Sequence, residues 1–353
     1  MRLLTRKTLT ALAVGVFCWL LARHSTTPGN NQLLELAGQT MGTGWHVVLS
    51  IPLSESPDLD AVATGVTGLL EHLDRGVFST YVEESELSRL NKSKVGEGVV
   101  VSRELLEVLL LSRTINQQSY GTFDITVGPL VNLWGFGPQK AEAIPTDTAI
   151  AAALRKLGAD RYDFDARASK ITRLADINID LSAIAKGYAV DKVAELLLSA
   201  GFANFLVEIG GEVRVQGTRQ PEQGWRIGIE TPQAGNRTAI ARIDNRGDNF
   251  AMAGSGDYRN FFELNGKRYS HEIDPHTGKP VEHALAAVTV LAATAAEADA
   301  WATAMMVLGP IDGPLLAEQR KMPVYFIIRN EQGFETLNTP AFLPYLTTVE
   351  VSN

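Results

Sequence analysis

The feature that most limits the fold is the bunching of short apolar runs, joined by tight-turn residues, in the second half of the chain. Runs around Leu206 and Val213 flank Gly210-Gly211. Phe261 to Leu264 and Arg268 to His271 flank Asn265-Gly266, and Val324 to Ile328 with Phe334 to Leu337 make a last pair. Asn-Gly between two such runs is a strong hairpin signal, because both central residues of the favoured turn need positive φ. Further strands are expected at Trp45 to Ile51, around Ile171 and Ile177, at Trp225 to Glu230, Ala239 to Ile243 and Ala287 to Leu291. Helical spacing marks Leu59 to Leu73, Leu105 to Ile115 with Gly121 past its end, Thr146 to Leu157 before Gly158, and Lys186 to Leu198. A further helix, Ala295 to Leu308, opens on a capping box, Thr294 with Glu297, and stops at Gly309-Pro310. Hairpins outnumber βαβ units. The fold expected is therefore α+β, with mixed or antiparallel sheets and packed helices, rather than a doubly wound parallel sheet. No Pro- or Ser-rich linker divides the chain, which predicts one compact unit over residues 33–353.

Residues 1–32 read as a leader. Arg2, Arg6 and Lys7 precede an apolar run from Thr8 to Ala22, which is the profile of an export signal. Cys18 in that run offers a site for lipid attachment. Phe17 before it and Trp19-Leu20-Leu21 after it fit an uncleaved signal anchor equally well. Either mode places the folded part on the periplasmic side of the inner membrane, tethered by its N-terminus.

Cys18 is the only cysteine in 353 residues. Disulfides, thiolate catalysis and Cys-based metal sites are thereby excluded from the body of the chain, and any metal must be held by oxygen or imidazole. Asp plus Glu number 40 against 32 Lys plus Arg, a formal net charge of -8, which disfavours nucleic acid as a partner. The G-x-G sequences at Gly42, Gly135 and Gly254 do not extend to G-x-G-x-x-G. There is no Walker loop, nucleophile elbow or H-E-x-x-H either. Nicotinamide dehydrogenases, P-loop kinases, serine hydrolases and zinc proteases are disfavoured.

Four constellations carry polar chemistry. Asp299 and Thr303 share one face of an otherwise apolar helix. They suit a hard cation, but they also read as a dipole-favouring carboxylate and a back-bonding threonine. Asp180 to Tyr188 runs from a strand into a helix start, where free N–H groups and Lys186 would suit an anion; an ordinary cap with a solvated lysine is the alternative. Gly121 to Gly137 mixes turn residues with Phe123, Trp134 and Phe136, a setting for a planar heterocycle or simply a packed connector. Tyr269 to Pro280 ends in a tight Asp274-Pro-x-Thr-Gly turn. Alternation there sets His271 and Ile273 on one face and Glu272 and Asp274 on the other. Zinc on His271, Asp274 and His276 is disfavoured, since the turn alone explains Asp274, Pro275 and Gly278. His24, His46, His72 and His283 have no case beyond packing or surface.

Taken in order, these segments resemble the FAD:protein FMN transferase family (ApbE-like proteins). The likeness runs from Met41-Gly42-Thr43 through Ser79-Thr-Tyr81, Ser85 to Asn91, Thr122 to Gly137, Asp180 to Asp191 and Gly210-Gly211-Glu212. It continues through Gly254 to Tyr258, His271 to Pro280 and Ala298 to Gly309. The resemblance implies an α+β catalytic domain with a flavin-binding cleft. It implies Mg²⁺-dependent transfer of FMN from FAD to a threonine or serine hydroxyl of an acceptor flavoprotein, with release of AMP. By matching motif, Met41, Tyr81, Thr122, Phe123, Asp124, Asp180, Lys186 and Ile273 would contact FAD. The Ala183 carbonyl with the Asp299 and Thr303 side chains would hold Mg²⁺. His271, Lys186 and Asp299 would carry the catalysis. An FAD pyrophosphatase releasing free FMN and AMP shares these motifs. A non-catalytic flavin-binding lipoprotein is the further alternative, which the Asp299/Thr303 pair disfavours.

Overall fold

The computed structural model describes residues 31–137, 143–233, 238–258, 261–264 and 267–347. The greater part of the leader, Cys18 and the Asn265-Gly266 turn lie outside them. The chain opens with a long hairpin of β1 (Asn31–Thr40) and β2 (Thr43–Pro52), turned at Met41-Gly42. Asn31 and Gln32, expected in the leader, therefore belong to the fold: they pair with Pro52 and Ile51. Next come α1 (Leu59–Glu71), which runs on into a π-helical segment over His72–Phe78, and α2 (Glu86–Lys92). They are followed by β3 (Gly98–Val100), α3 (Arg103–Gln118), α4 (Gly128–Leu133) and α5 (Asp147–Leu154). β4 (Tyr162–Asp165) and β5 (Lys170–Arg173) lead to α6 (Ala185–Ser199).

The second half supplies β6 (Phe205–Ile209), β7 (Glu212–Gln216), β8 (Arg226–Glu230), β9 (Ala239–Asp244) and β10 (Phe250–Gly256). The short hairpin β11 (Phe261–Leu264) and β12 (Lys267–Ser270) follows, then β13 (Leu285–Ala292), α7 (Ala295–Gln319), β14 (Val324–Asn330), β15 (Gly333–Asn338) and β16 (Leu346–Thr347). Eight strands form one sheet in the order β1-β2-β6-β7-β10-β13-β14-β15, and neighbouring strands pair antiparallel throughout. The α+β expectation holds.

Alternation along the sheet makes two cores. Val47, Leu49, Val207, Ile209, Ala251, Ala253, Val288 and Val290 face the helices, packing on α1, α3, α6 and α7. Val48, Leu206, Val213, Val215, Met252 and Leu291 face the three-stranded sheet β16-β9-β8. A third cluster joins α4 and α5 to the segment after β12, through Leu130, Trp134, Ile150, Tyr269 and Ile273.

Two expectations change. Ile177 and Ile179 are buried but lie in no strand. The Asn91 side chain replaces a ladder there, donating to the Ile179 carbonyl at 2.9 Å and accepting from its N–H at 2.8 Å. Asp180 N donates to the Ile125 carbonyl at 2.7 Å. The second change is in α7, which does not end at Gly309. That residue leaves helical geometry (φ 77°, ψ -167°), and a further helical segment continues to Gln319. Pro310 has no N–H to give the Met306 carbonyl, and His283 Nε2 meets that oxygen at 2.7 Å instead. α7 is long and apolar enough to cross a bilayer, yet over half of it is buried inside the protein, as befits a core helix.

Candidate active site

The site is built where α6 and α7 cross. Gly187 permits the crossing: a Cβ there would lie 2.2 Å from the Ala295 carbonyl oxygen. Each helix supplies a carboxylate to the N-terminus of the other. Asp191 of α6 accepts from Ala295 N and Ala296 N, both at 2.9 Å, and Arg214 braces it at 2.8 Å. Asp299 of α7 accepts from Gly187 N at 3.0 Å. Free N–H groups in a helix's first turn attract negative charge, so both contacts are favourable. Asp299 therefore serves the helix of Lys186, not only its own dipole. The start of α6 and the Asp299 helix meet.

Lys186 is not a solvated lysine. Its Nζ donates to Glu212 Oε1 at 2.5 Å, and Glu212 is 2% exposed. Glu212 starts β7 just after the Gly210-Gly211 turn, where both glycines have positive φ (63° and 112°). That turn is a hairpin, as anticipated. A Cβ at Gly210 would sit 3.3 Å from Lys186 Cδ and 2.8 Å from Thr43 Cγ2, so the lysine stem and the Met41–Thr43 turn both press on it.

Burial pushes Glu212 up to about 7, against the pull of Lys186 and with a further push from Asp299. Burial likewise raises Asp299, opposed by Lys186 and by the Gly187 N–H. Burial raises Glu272 as well, opposed by His271 and reinforced by Asp299. Three buried carboxylates thus share the pull of one lysine, and Glu212 Oε2 has no hydrogen-bond partner. An excess of buried negative charge with an orphaned oxygen fits a hard cation. Among the described residues no three His, Cys, Asp or Glu side chains form a metal cluster of their own. Mg²⁺ takes few protein oxygens and fills its shell with phosphate and water. Asp299 and half-buried Thr303 lie one turn apart on α7, and Ala183 lies half-buried in the turn before α6. They are the groups that would hold it.

This electrostatics has a measurable consequence. Glu212 contributes stability that is complete below its unfolded pKa of 4.5 and is lost as pH rises through about 7. Thermal melts of metal-free protein from about pH 5 to about pH 8 should fall more steeply for the wild type than for Glu212→Gln. Mg²⁺ should recover part of the loss at the upper pH. Equal slopes would contradict the assignment.

The second half of the site is held by the third core. Trp134 Nε1 donates to the Gly278 carbonyl at 2.8 Å, and its ring lies 5.7 Å from that of Tyr269. The Phe136 ring meets the His271 imidazole edge-on at 6.3 Å. The tight turn is present: Gly278 N donates to the Asp274 carbonyl at 2.8 Å, and Gly278 has φ 69°. The expected alternation is not. β12 ends at Ser270, and Glu272 and Ile273 are both buried (7% and 6%) because the chain bends to bridge Ile273 with Pro280. His271 Nε2 lies 3.6 Å from Glu272 Oε1 and remains 31% exposed. His276 Nε2 contacts the Tyr120 carbonyl at 3.0 Å, which accounts for it without zinc.

The remaining candidates are placed as follows. Met41 has φ 46° and its N–H donates to Asp74 Oδ2 at 3.0 Å. Tyr81 is exposed on a loop pinned by Ser79. The Thr122 hydroxyl is spent on the Ser119 carbonyl (2.9 Å) and the Phe123 ring is buried in the helix-side core. Asp124 accepts from the N–H and hydroxyl of Thr126, and burial raises it. Asp180 accepts from Ser182 N at 2.8 Å. Gly254 to Gly256 line a different space, a cavity of about 50 Å³ in the second core. Flavin-sized ligands occupy roughly 300–1,000 Å³, so it is no flavin pocket.

Sequence reasoning missed Asp191, Glu212 and Glu272 as members of the site. The signal at Asp191 and Glu212 was a carboxylate beside apolar residues, which an ion pair across the surface would explain equally well, and Glu272, set between His271 and Asp274, gave none.

The profile of the ApbE family matches residues 41–326. The chain belongs to the ApbE family. It is 39% identical to the FAD:protein FMN transferase of Haemophilus influenzae over 324 residues, covering 90% of this chain and 93% of that one. It is also 39% identical to the protein of the same name in Vibrio cholerae, covering 89% and 93%. Among solved structures, the flavin transferase ApbE from Vibrio cholerae superposes with a TM-score of 0.81 at 36% identity, covering 90% of this chain and all of the other. The apo flavinyl transferase ApbE of Pseudomonas stutzeri gives 0.82 at 35% identity, covering 90% and 98%.

Proposed function

We propose that this chain transfers FMN from FAD to a threonine or serine hydroxyl of an acceptor protein, with Mg²⁺, and releases AMP. The single observation that carries the reading is the junction of Gly187 N with Asp299 Oδ2 beside the Lys186 head. It sets an anion-binding helix start against a cation-binding helix face, which is what a metal-bound diphosphate requires. The names of the relatives point to the same reaction.

Phosphoryl transfer asks chiefly for positioning and charge neutralisation. Lys186 would offset charge on the diphosphate oxygens. Bound Mg²⁺ would supply the larger share of that neutralisation. The acceptor oxygen forms a bond to the FMN phosphorus, the bond from that phosphorus to the AMP oxygen breaks, and AMP leaves with the electron pair. The hydroxyl proton needs a base. Asp299 is buried and engaged with Gly187, whereas His271 is partly exposed and reachable by a protein-borne hydroxyl. We assign the proton to His271. The leader before β1 would tether this reaction to the periplasmic face of the inner membrane, where exported flavoproteins are the acceptors.

The test is incubation with FAD, MgCl₂ and an exported flavoprotein domain. The acceptor is expected to gain the mass of FMN, with one AMP released per acceptor. Free FMN and AMP without acceptor labelling would favour the pyrophosphatase. Bound FAD with neither product would overturn both readings in favour of flavin storage.

A further inference from the structure

The β6–β7 hairpin holds Lys186 at two points. Gly210, lacking a Cβ, lets the stem pass at van der Waals distance, and Glu212 grips the ammonium at 2.5 Å. The lysine side chain has four rotatable bonds, and a head without an anchor must give up that rotamer freedom when a ligand binds. Glu212 takes one of the three donors of the ammonium. Lys186 is 28% exposed while its anchor is 2% exposed, so the solvent-facing side of the pair is the cation. Only Oε1 of Glu212 is engaged, and its place at the first residue of β7, paired to Ile209, is set by the central sheet rather than by a loop.

We propose that Glu212 is a positioning residue: it holds the Lys186 ammonium in place for the diphosphate of FAD. The assignment rests on the transferase reading, because it takes the diphosphate as the ligand of Lys186. Glu212 acts through Lys186 and touches no reacting atom. Its negative charge repels a diphosphate only weakly once Mg²⁺ neutralises that group, so the positioning effect decides the sign.

The test is a double-mutant cycle on FAD affinity, measured by calorimetry in MgCl₂ with Glu212→Ala, Lys186→Ala and the pair. Glu212→Ala should weaken FAD binding about tenfold in the wild-type background and less than about twofold when Lys186 is already alanine. Glu212→Gln keeps a neutral acceptor for the ammonium and should stay within about threefold of wild type. Glu212→Asp keeps the charge but withdraws the anchor, and it replaces the alanine variant in the cycle should that one fail to fold. An equal loss in both backgrounds, unchanged affinity, or tighter binding would overturn the assignment. If the wild type still labels its acceptor in that case, the transferase reading survives alone. A wild-type protein that takes up no FAD would overturn both.

Discussion

Asp299→Asn is expected to abolish FMN transfer while leaving the protein folded, and metal-free protein should melt at a higher temperature than the wild type near pH 8. The amide keeps an oxygen for Gly187 N, so the bond between α7 and α6 survives. What is lost is the anionic oxygen for the cation. Metal-held charge neutralisation amounts to several kcal/mol of barrier, so the rate should fall about a thousandfold or more. The stability gain follows from the direction of the shift. Burial raises the Asp299 carboxyl, so its contribution to folding is present at low pH and lost as pH rises through the folded-state value. A neutral side chain escapes that loss, and the two melting curves should converge in acid. Product analysis by mass spectrometry and melts across pH check both halves. Wild-type rates would remove Asp299 from the site, and a lower melting temperature at every pH would mean that its charge stabilises the empty protein.

Gly187→Ala is expected to be the most damaging single methyl addition in the chain's second half. The new Cβ would meet the Ala295 carbonyl oxygen at 2.2 Å and Ala296 N at 2.8 Å, and these are backbone atoms that cannot rotate away. The helices must part, and the Asp191 and Asp299 contacts across the crossing weaken together. The cost should be about 3 kcal/mol or more, and FAD binding should fail even where the variant folds. Denaturant titration with calorimetry checks this. A variant of wild-type stability would show that the crossing is looser than 2.2 Å implies. Gly68, which has open space around its Cβ position, is the control, and Gly68→Ala should be neutral or slightly stabilising.

The five longer helices and the hairpins β6–β7, β11–β12 and β14–β15 were legible because period and turn chemistry are local, whereas α2, α4 and β1 went unread. Ser102 and Thr146 cap α3 and α5, and Thr294 caps α7, each where the pattern of the chain begins to repeat. The Lys186 and Asp299 motifs were visible only as motifs, each with a bland alternative, and their ordered likeness to a family made them sites. What local reasoning could not reach was contact between distant segments. Ile177 and Ile179 read as a strand because they alternate, yet the backbone of Ile179 pairs with an asparagine side chain 88 positions away, and the Ile177 carbonyl accepts from Arg173. His271 and Glu272 were assigned faces by strand alternation, but the strand stops one residue earlier. Glu212 looked like a turn-flanking charge, and only the sheet brings it to Lys186.

The mutual capping of α6 and α7 also sets an order of assembly. The carboxylate that completes the amide-rich corner near residue 187 is encoded 112 positions later, and the amides that answer Asp191 come more than 100 positions after it. A chain leaving the ribosome, or threading through a translocation channel, therefore cannot capture nucleotide until its last third has emerged. Truncation anywhere before that helix should yield fragments blind to FAD, however well their sheets form.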